Sequence, residues 1–350
     1  MKCCIDCFKD AHIRDTIEKY GTTGDCDFCS AKNVPVYDIS TSTLLSDKIV
    51  GLVQAYMIST EEGAKPLKEA LKNDWDIFNG DEDEIQKLVI ELCSPIIEKN
   101  NSIYSEKVII PQASDADYLQ QYGVVKELSW HQFSESIKRE NRFHNNMFNS
   151  DAFASFLSVA TKNYPKGTKF FRARIADSKA GFAPKEMFAP PVGRRRAGRI
   201  NPEGIGVLYL TSDNLTALTE VRASVYDFVS IGEFCTKTDL RIVDLSSISK
   251  MSPFLYQGDI EQFFVNRKVF QEMALEIAKP LRRSDSVLEY LPTQYISEFV
   301  KSQGYDGVAY ESTLHSGGYN IAVYDELLLD CLNVKTCLLY TSDAADDRIS

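Results

Sequence analysis

GRRRAGRINPEGIGVLYLTSDNLTALTE, residues 193–220, is the stretch on which the reading of this chain turns. It opens with a cluster of arginines and crosses a short apolar run, 206–211, with strand character. It then enters a helix expected over roughly 214–226, which Ser212 or Asp213 can cap. Leu215, Leu218 and Val221 give that helix an apolar stripe, and Glu220 lies beside it. Working outward, FFRAR at 170–174 falls in a second expected strand, 169–175. GYDGVAYESTLHSGGYNIAVY at 304–324 supplies two more, 307–310 and 320–324, and another covers 241–245. Helices are expected over 259–280 and 295–302. Strands mixed with few helices predict a compact α+β domain over 165–336.

The polar residues of these runs suit one kind of ligand. Guanidinium forks bind a diphosphate better than lysines do, and Arg172 and Arg199 are the candidates. Arg174 is expected to face away from Arg172, so that one of the two enters the pocket. The Arg194–Arg195–Arg196 run reads as a solvated loop. Tyr209, on the strand before Glu220, can stack on a ring or a ribose. Ser312 and Asn320 can orient an amide or a hydroxyl, and His315 is expected in a loop. Glu220 supplies a single carboxylate, which can stabilise a cation developing at a sugar carbon.

FRAR, GRINPEG-x3-LY, the glutamate eleven residues after that tyrosine, and GYDGVAYES followed by GGYN together resemble the RES domain family. The resemblance spans about 170–336. It implies a fold similar to ADP-ribosyltransferases, NAD+ as substrate, and a toxin restrained by an antitoxin or other regulatory protein. It places catalytic roles on Arg199, Glu220 and Ser312, and NAD+ binding on Arg172, Tyr209 and Asn320. Ile200 departs from the pattern, because many members carry an aromatic there. NAD+ already bears a cationic leaving group, so one carboxylate suffices where ordinary glycosidases need a pair. The reading is therefore an NAD+ glycohydrolase or phosphorylase acting as a growth-arresting or defence toxin. The alternatives are an ADP-ribosyltransferase that modifies a macromolecule, and a zinc-stabilised nucleotide-binding module without turnover.

At the other end of the chain, Cys4-x2-Cys7 and Cys26-x2-Cys29 are separated by 18 residues. Two such knuckles complete a tetrahedral zinc shell, and four sulfur ligands leave no open position, so the zinc is expected to be structural. Between them DAHIRDTIEKYG predicts a short helix with Ile13 and Ile17 on one face, ended by Gly21. This module covers 1–38. A mainly helical domain is expected over 39–164, from periodic runs around Leu45–Met57, Ile85–Leu92, Trp130–Ile137 and Phe153–Ala160. The KVIIPQASDADY segment between them reads as a polar turn with extended character. Arg139 and His144 match the R-x4-H spacing of HEPN-type ribonucleases, but a charged, solvated helix face is the preferred reading.

The formal net charge of −11 argues against a nucleic-acid partner. No run is long and apolar enough to span a membrane, and the N-terminus lacks the apolar core of a signal peptide, so a cytoplasmic protein with reduced cysteines is expected. GxxxxGK[ST], HExxH, GxSxG and a complete GxGxxG are all missing from the sequence. Residues 337–350, beginning CLLYTSDAADD, resemble translated sequencing-adapter sequence and are expected to be non-native. The sequence leaves the oligomeric state open, a homodimer included.

Overall fold

The computed structural model describes residues 1–126, 129–279 and 286–340. The chain divides into two compact units, 1–123 with 252–267, and 124–251 with 268–350.

In the first unit, β1 (Lys2–Cys4), β2 (Thr22–Gly24) and β3 (Val34–Asp38) form a small antiparallel sheet in the order β1-β3-β2. Helix α1 (Ala11–Tyr20) starts where the Asp10 side chain accepts from the Ile13 amide, buries Ile13 and Ile17, and stops at Gly21. A Cβ at Gly21 would lie 2.4 Å from the Ile17 carbonyl oxygen and 2.5 Å from that of Val36, so no larger residue fits this close turn. Helices α2 (Leu44–Gln54), α3 (Leu67–Trp75), α4 (Glu82–Cys93) and α5 (Ala116–Tyr122) follow. A capping box between Asp81 and Glu84 sets the start of α4. The segment is not wholly helical. Strands β4 (Met57–Ile58), β5 (Lys65–Pro66) and β6 (Lys107–Ile109) form a second small sheet, and α5 begins within the segment read from sequence as a turn.

The second unit opens with α6 (Trp130–Arg139) and α7 (Ser150–Leu157). It then builds an eight-stranded sheet from β7 (Thr161–Tyr164), β8 (Lys169–Ala176), β9 (Leu208–Thr211), β10 (Phe228–Thr236), β11 (Leu240–Asp244), β12 (Gly307–Glu311), β13 (Tyr319–Val323) and β14 (Leu329–Leu338). The order is β14-β10-β8-β9-β13-β12-β11-β7, antiparallel except for β11 against β12. Helices α8 (Asn214–Glu220), α9 (Leu245–Ile248), α10 (Ile260–Ala278) and α11 (Leu291–Ser302) complete the set, with the N-terminal part of α10 falling in the first unit. The architecture is mixed α+β with a large C-terminal sheet.

Each face of the sheet carries its own apolar cluster. Phe170, Leu208, Leu210, Phe234, Ala309, Ile321 and Val323 pack on one side. Ala173, Val229 and Ile231 pack against Ala217 and Leu218 of α8 on the other. The alternation of side chains along each strand produces this separation. Cys337 and Leu338 pair with Val229 and Phe228 and complete β14, whereas 341–350 lies outside the described residues. No helix among the described residues is long and apolar enough to cross a membrane.

Candidate functional site

Helix α8 is short because the backbone stops it. Val221 ends the helix, and Arg222 takes the left-handed conformation at φ 51°. Glu220 is therefore the last helical residue, and the expected continuation to 226 does not form. At the other end, Asp213 accepts from the Thr216 amide at 2.8 Å and from the Thr216 and Ser212 hydroxyls at 2.6 Å each. Burial raises the pKa of Asp213, but these hydrogen bonds outweigh it and hold the carboxyl below its usual range.

The Glu220 carboxylate is held by two neutral donors. The Ser312 hydroxyl donates to its Oε1 at 2.7 Å, and the Asn320 side-chain amide donates to the same oxygen at 2.8 Å. Among the described residues Oε2 accepts no hydrogen bond, and no cation lies within ion-pair distance of the carboxylate. The Ser312 oxygen also accepts from the backbone amides of Leu314 and His315, each at 3.2 Å, which fixes the turn after β12. His315 is in that loop, with its Nδ1 2.8 Å from the Thr216 hydroxyl. Asn320 is buried on β13, directly opposite Tyr310 of β12 on one side and Thr211 of β9 on the other.

Tyr310 was not singled out from the sequence, yet it links the carboxylate to the arginine. Its ring centroid lies 5.6 Å from the Arg199 guanidinium carbon. Burial raises its pKa, with the Arg199 charge opposing and the Glu220 charge reinforcing, so the phenol stays protonated. The available signal was period two: Tyr310 precedes Ser312 by two residues at the end of a strand.

Arg199 approaches from a tightly tied loop. Its carbonyl accepts from the Thr293 hydroxyl at 2.6 Å, and the Gln294 side-chain amide donates to the Gly198 and Asn201 carbonyls at 2.6 and 2.9 Å. Buried Asn201 donates to the carbonyls of Arg196, Pro202 and Ile205. Gly198 is required here, since a Cβ would stand 2.6 Å from the Tyr209 hydroxyl oxygen and 2.7 Å from Asn201 Oδ1. Ile200, expected to be an aromatic position, is buried. The Arg199 guanidinium itself donates to the carbonyls of Ile277 and Lys279, the latter at 2.6 Å, at the end of α10. It also lines a cavity of about 560 Å³, together with Trp130, Lys138, Glu276, Glu289 and Tyr290. Lys138 is nearly buried there among Glu135, Glu276 and Glu289.

Tyr209 and Arg172 take places other than those expected. The Tyr209 hydroxyl donates to Asn201 Oδ1 at 2.7 Å and accepts from the Ile200 amide at 3.0 Å. It braces the Arg199 loop. Arg172 shares a strand face with Arg174 rather than opposing it, because residues two apart in a strand point the same way. Phe171 pairs with Thr211 and packs with the α8 cluster, so Arg172 and Arg174 project from the opposite face. Arg174 stacks over Phe182, 3.9 Å from its centroid. Arg172 has its Nη1 buried without a hydrogen-bond partner, and burial pushes its pKa down to about 10. The structure thus brings Glu220, Ser312, Asn320 and Arg199 around Tyr310 and leaves Arg172 on the far side of the sheet.

In the first unit, Cys4, Cys7, Cys26 and Cys29 bring their sulfurs within 4.8 Å of one another. Cys4–Cys29, Cys7–Cys26 and Cys4–Cys7 separations are 3.3, 3.5 and 3.8 Å. Zinc–sulfur bonds of about 2.3 Å give tetrahedral edges of roughly 3.8 Å, so the donor set fits such an ion. The Phe28 amide donates to the Cys26 sulfur at 3.4 Å. Arg139 and His144 do not form a site. Arg139 pairs with Glu135 on an exposed helix end, and His144 lies beyond the helix.

Residues 169–336 match the family model described as the RES domain. No curated protein matches the chain. Among solved structures, the crystal structure of the M. tuberculosis MbcT-MbcA toxin-antitoxin complex is similar, at 14% identity and a TM-score of 0.32. That likeness covers 53% of this chain and 91% of the other.

Proposed function

We propose, from the RES domain that residues 169–336 make up, that the protein is a toxin that consumes NAD+ and releases nicotinamide. The observation that carries the reading is the Glu220 carboxylate, oriented through one oxygen by Ser312 and Asn320 and left without a cation. A carboxylate that is oriented but not paired with a cation is suited to a neighbouring positive charge that appears only during reaction. In NAD+ the bond between the ribose anomeric carbon and the nicotinamide nitrogen breaks, and its electron pair leaves with nicotinamide, which becomes neutral. Positive charge develops on the ribose, where Oε2 of Glu220 can meet it or hold a ribose hydroxyl. Water or phosphate then adds to the anomeric carbon, and with water a proton passes to solvent.

Arg199 is the cation available on the same side of the sheet for the diphosphate. Tyr209 and Asn201 position it through their loop. Arg172 takes no part in this arrangement. The four cysteines hold a structural zinc, which closes two knuckles and supplies no chemistry to the site. The family's toxin–antitoxin pairs extend the reading to a cytoplasmic enzyme restrained by a protein partner.

The test is mass spectrometry of NAD+ incubated with the wild-type protein and with Glu220→Ala. Nicotinamide together with ADP-ribose or a phosphorylated ADP-ribose is expected from the wild type alone. Intact NAD+ in both samples would refute the reading. A tagged NAD+ that labels a macromolecule, without free ADP-ribose, would favour transfer instead of hydrolysis.

A further inference from the structure

Tyr310 is the one residue of the cluster to which neither the sequence pattern nor the packing gives a task. It is 7% exposed on β12. The Tyr209 hydroxyl is engaged by Asn201 and Ile200, and that of Tyr324, farther along the sheet, by Ser297. The Tyr310 hydroxyl makes no hydrogen bond among the described residues. Its ring is buried while its oxygen is not sealed from solvent, so a ligand atom can take the place of water there.

Its location narrows what that ligand atom is. Directly across the strand pair stands Asn320, whose amide holds Glu220. On the other flank stands the Arg199 guanidinium, 5.6 Å from the ring centroid. A dinucleotide with its ribose at Glu220 and its diphosphate at Arg199 must pass over this ring. We infer that Tyr310 is a substrate-binding residue whose hydroxyl donates to the phosphate on the nicotinamide side of NAD+. The inference rests on the NAD+ reading above and adds to it one contact. The phenol remains a donor across the neutral range, because burial disfavours its ionised form.

The experiment compares steady-state nicotinamide release from NAD+ by the full-length wild type, Tyr310→Phe and Tyr324→Phe. A hydrogen bond to a charged oxygen predicts that Tyr310→Phe raises KM for NAD+ about tenfold to hundredfold, with a smaller change in kcat. Its thermal melting should match the wild type, since the hydroxyl bonds to nothing in the free protein. The inhibition constant of ADP-ribose, which keeps that phosphate, should rise in step with KM. Tyr324→Phe, which removes a hydroxyl engaged in packing, should leave KM in place. A Tyr310→Phe enzyme with wild-type KM, or a KM shift shared equally by Tyr324→Phe, overturns the inference while leaving NAD+ cleavage standing. A wild type that neither cleaves nor binds NAD+ removes both.

Discussion

Two neutral donors on one oxygen of Glu220 orient the carboxylate without spending its charge. Removing that charge at constant shape, by Glu220→Gln, should lower kcat for nicotinamide release by about 10²–10³ with the fold intact. Circular dichroism and melting check the second half of that statement. Ser312→Ala deletes a hydrogen bond to a charged group and should cost about tenfold to hundredfold in kcat, less than the Gln substitution. Tyr209→Phe is expected to act elsewhere. It leaves the Asn201 Oδ1 and the Ile200 amide unpaired, which predicts about 1–3 kcal/mol of lost stability, read as a lower melting temperature. The residue types around Glu220 could be gathered from the sequence because they flank recognisable strand ends. The side chosen by Arg172 could not, since it depends on the register of β8 against β9 and β10.

Helix α8 depends on its cap more than on its length, because seven residues supply few internal hydrogen bonds. Asp213→Ala should destabilise the unit by about 0.5–2 kcal/mol and, by loosening the helix that carries Glu220, lower turnover as well. The pH dependence follows from the sign of the shift. The folded-state pKa of Asp213 is depressed, so its stabilisation is complete above the ordinary carboxylate range. It is lost as pH falls through the lowered value. Wild type should therefore lose melting temperature under acid more steeply than Asp213→Asn, measured by calorimetry across the acid range. Five of the eight strands of the large sheet were legible as short apolar runs, whereas β7, β10 and β14 were not. β10 is interrupted by Gly232 and Glu233, with a bulge beside the latter, and β14 runs polar at alternate positions as a half-exposed strand. The end of α8 was overrun because Arg222, and no glycine, takes the left-handed turn.

At the scale of the whole chain, the four-cysteine cluster is the feature whose loss is easiest to impose. Native mass spectrometry should find one zinc per chain, absent after Cys4→Ser or Cys26→Ser. A chelator should lower the melting temperature of the first unit, while initial nicotinamide release measured promptly after its addition stays unchanged. The meeting of the four cysteines could be read from spacing alone, because paired CxxC knuckles have the ligand spacing of a tetrahedral site. The two-unit division could not, since the segment 252–267 clusters with the N-terminal unit despite lying late in the chain. The arginine tethered to the last carbonyls of α10 carries a consequence for ligand binding. Two of its five N–H groups are spent on those carbonyls, so on the proposed reading a diphosphate meets the other three with the tether in place. On that reading, whatever shifts the end of α10 alters how the guanidinium is aimed without touching the reacting atoms.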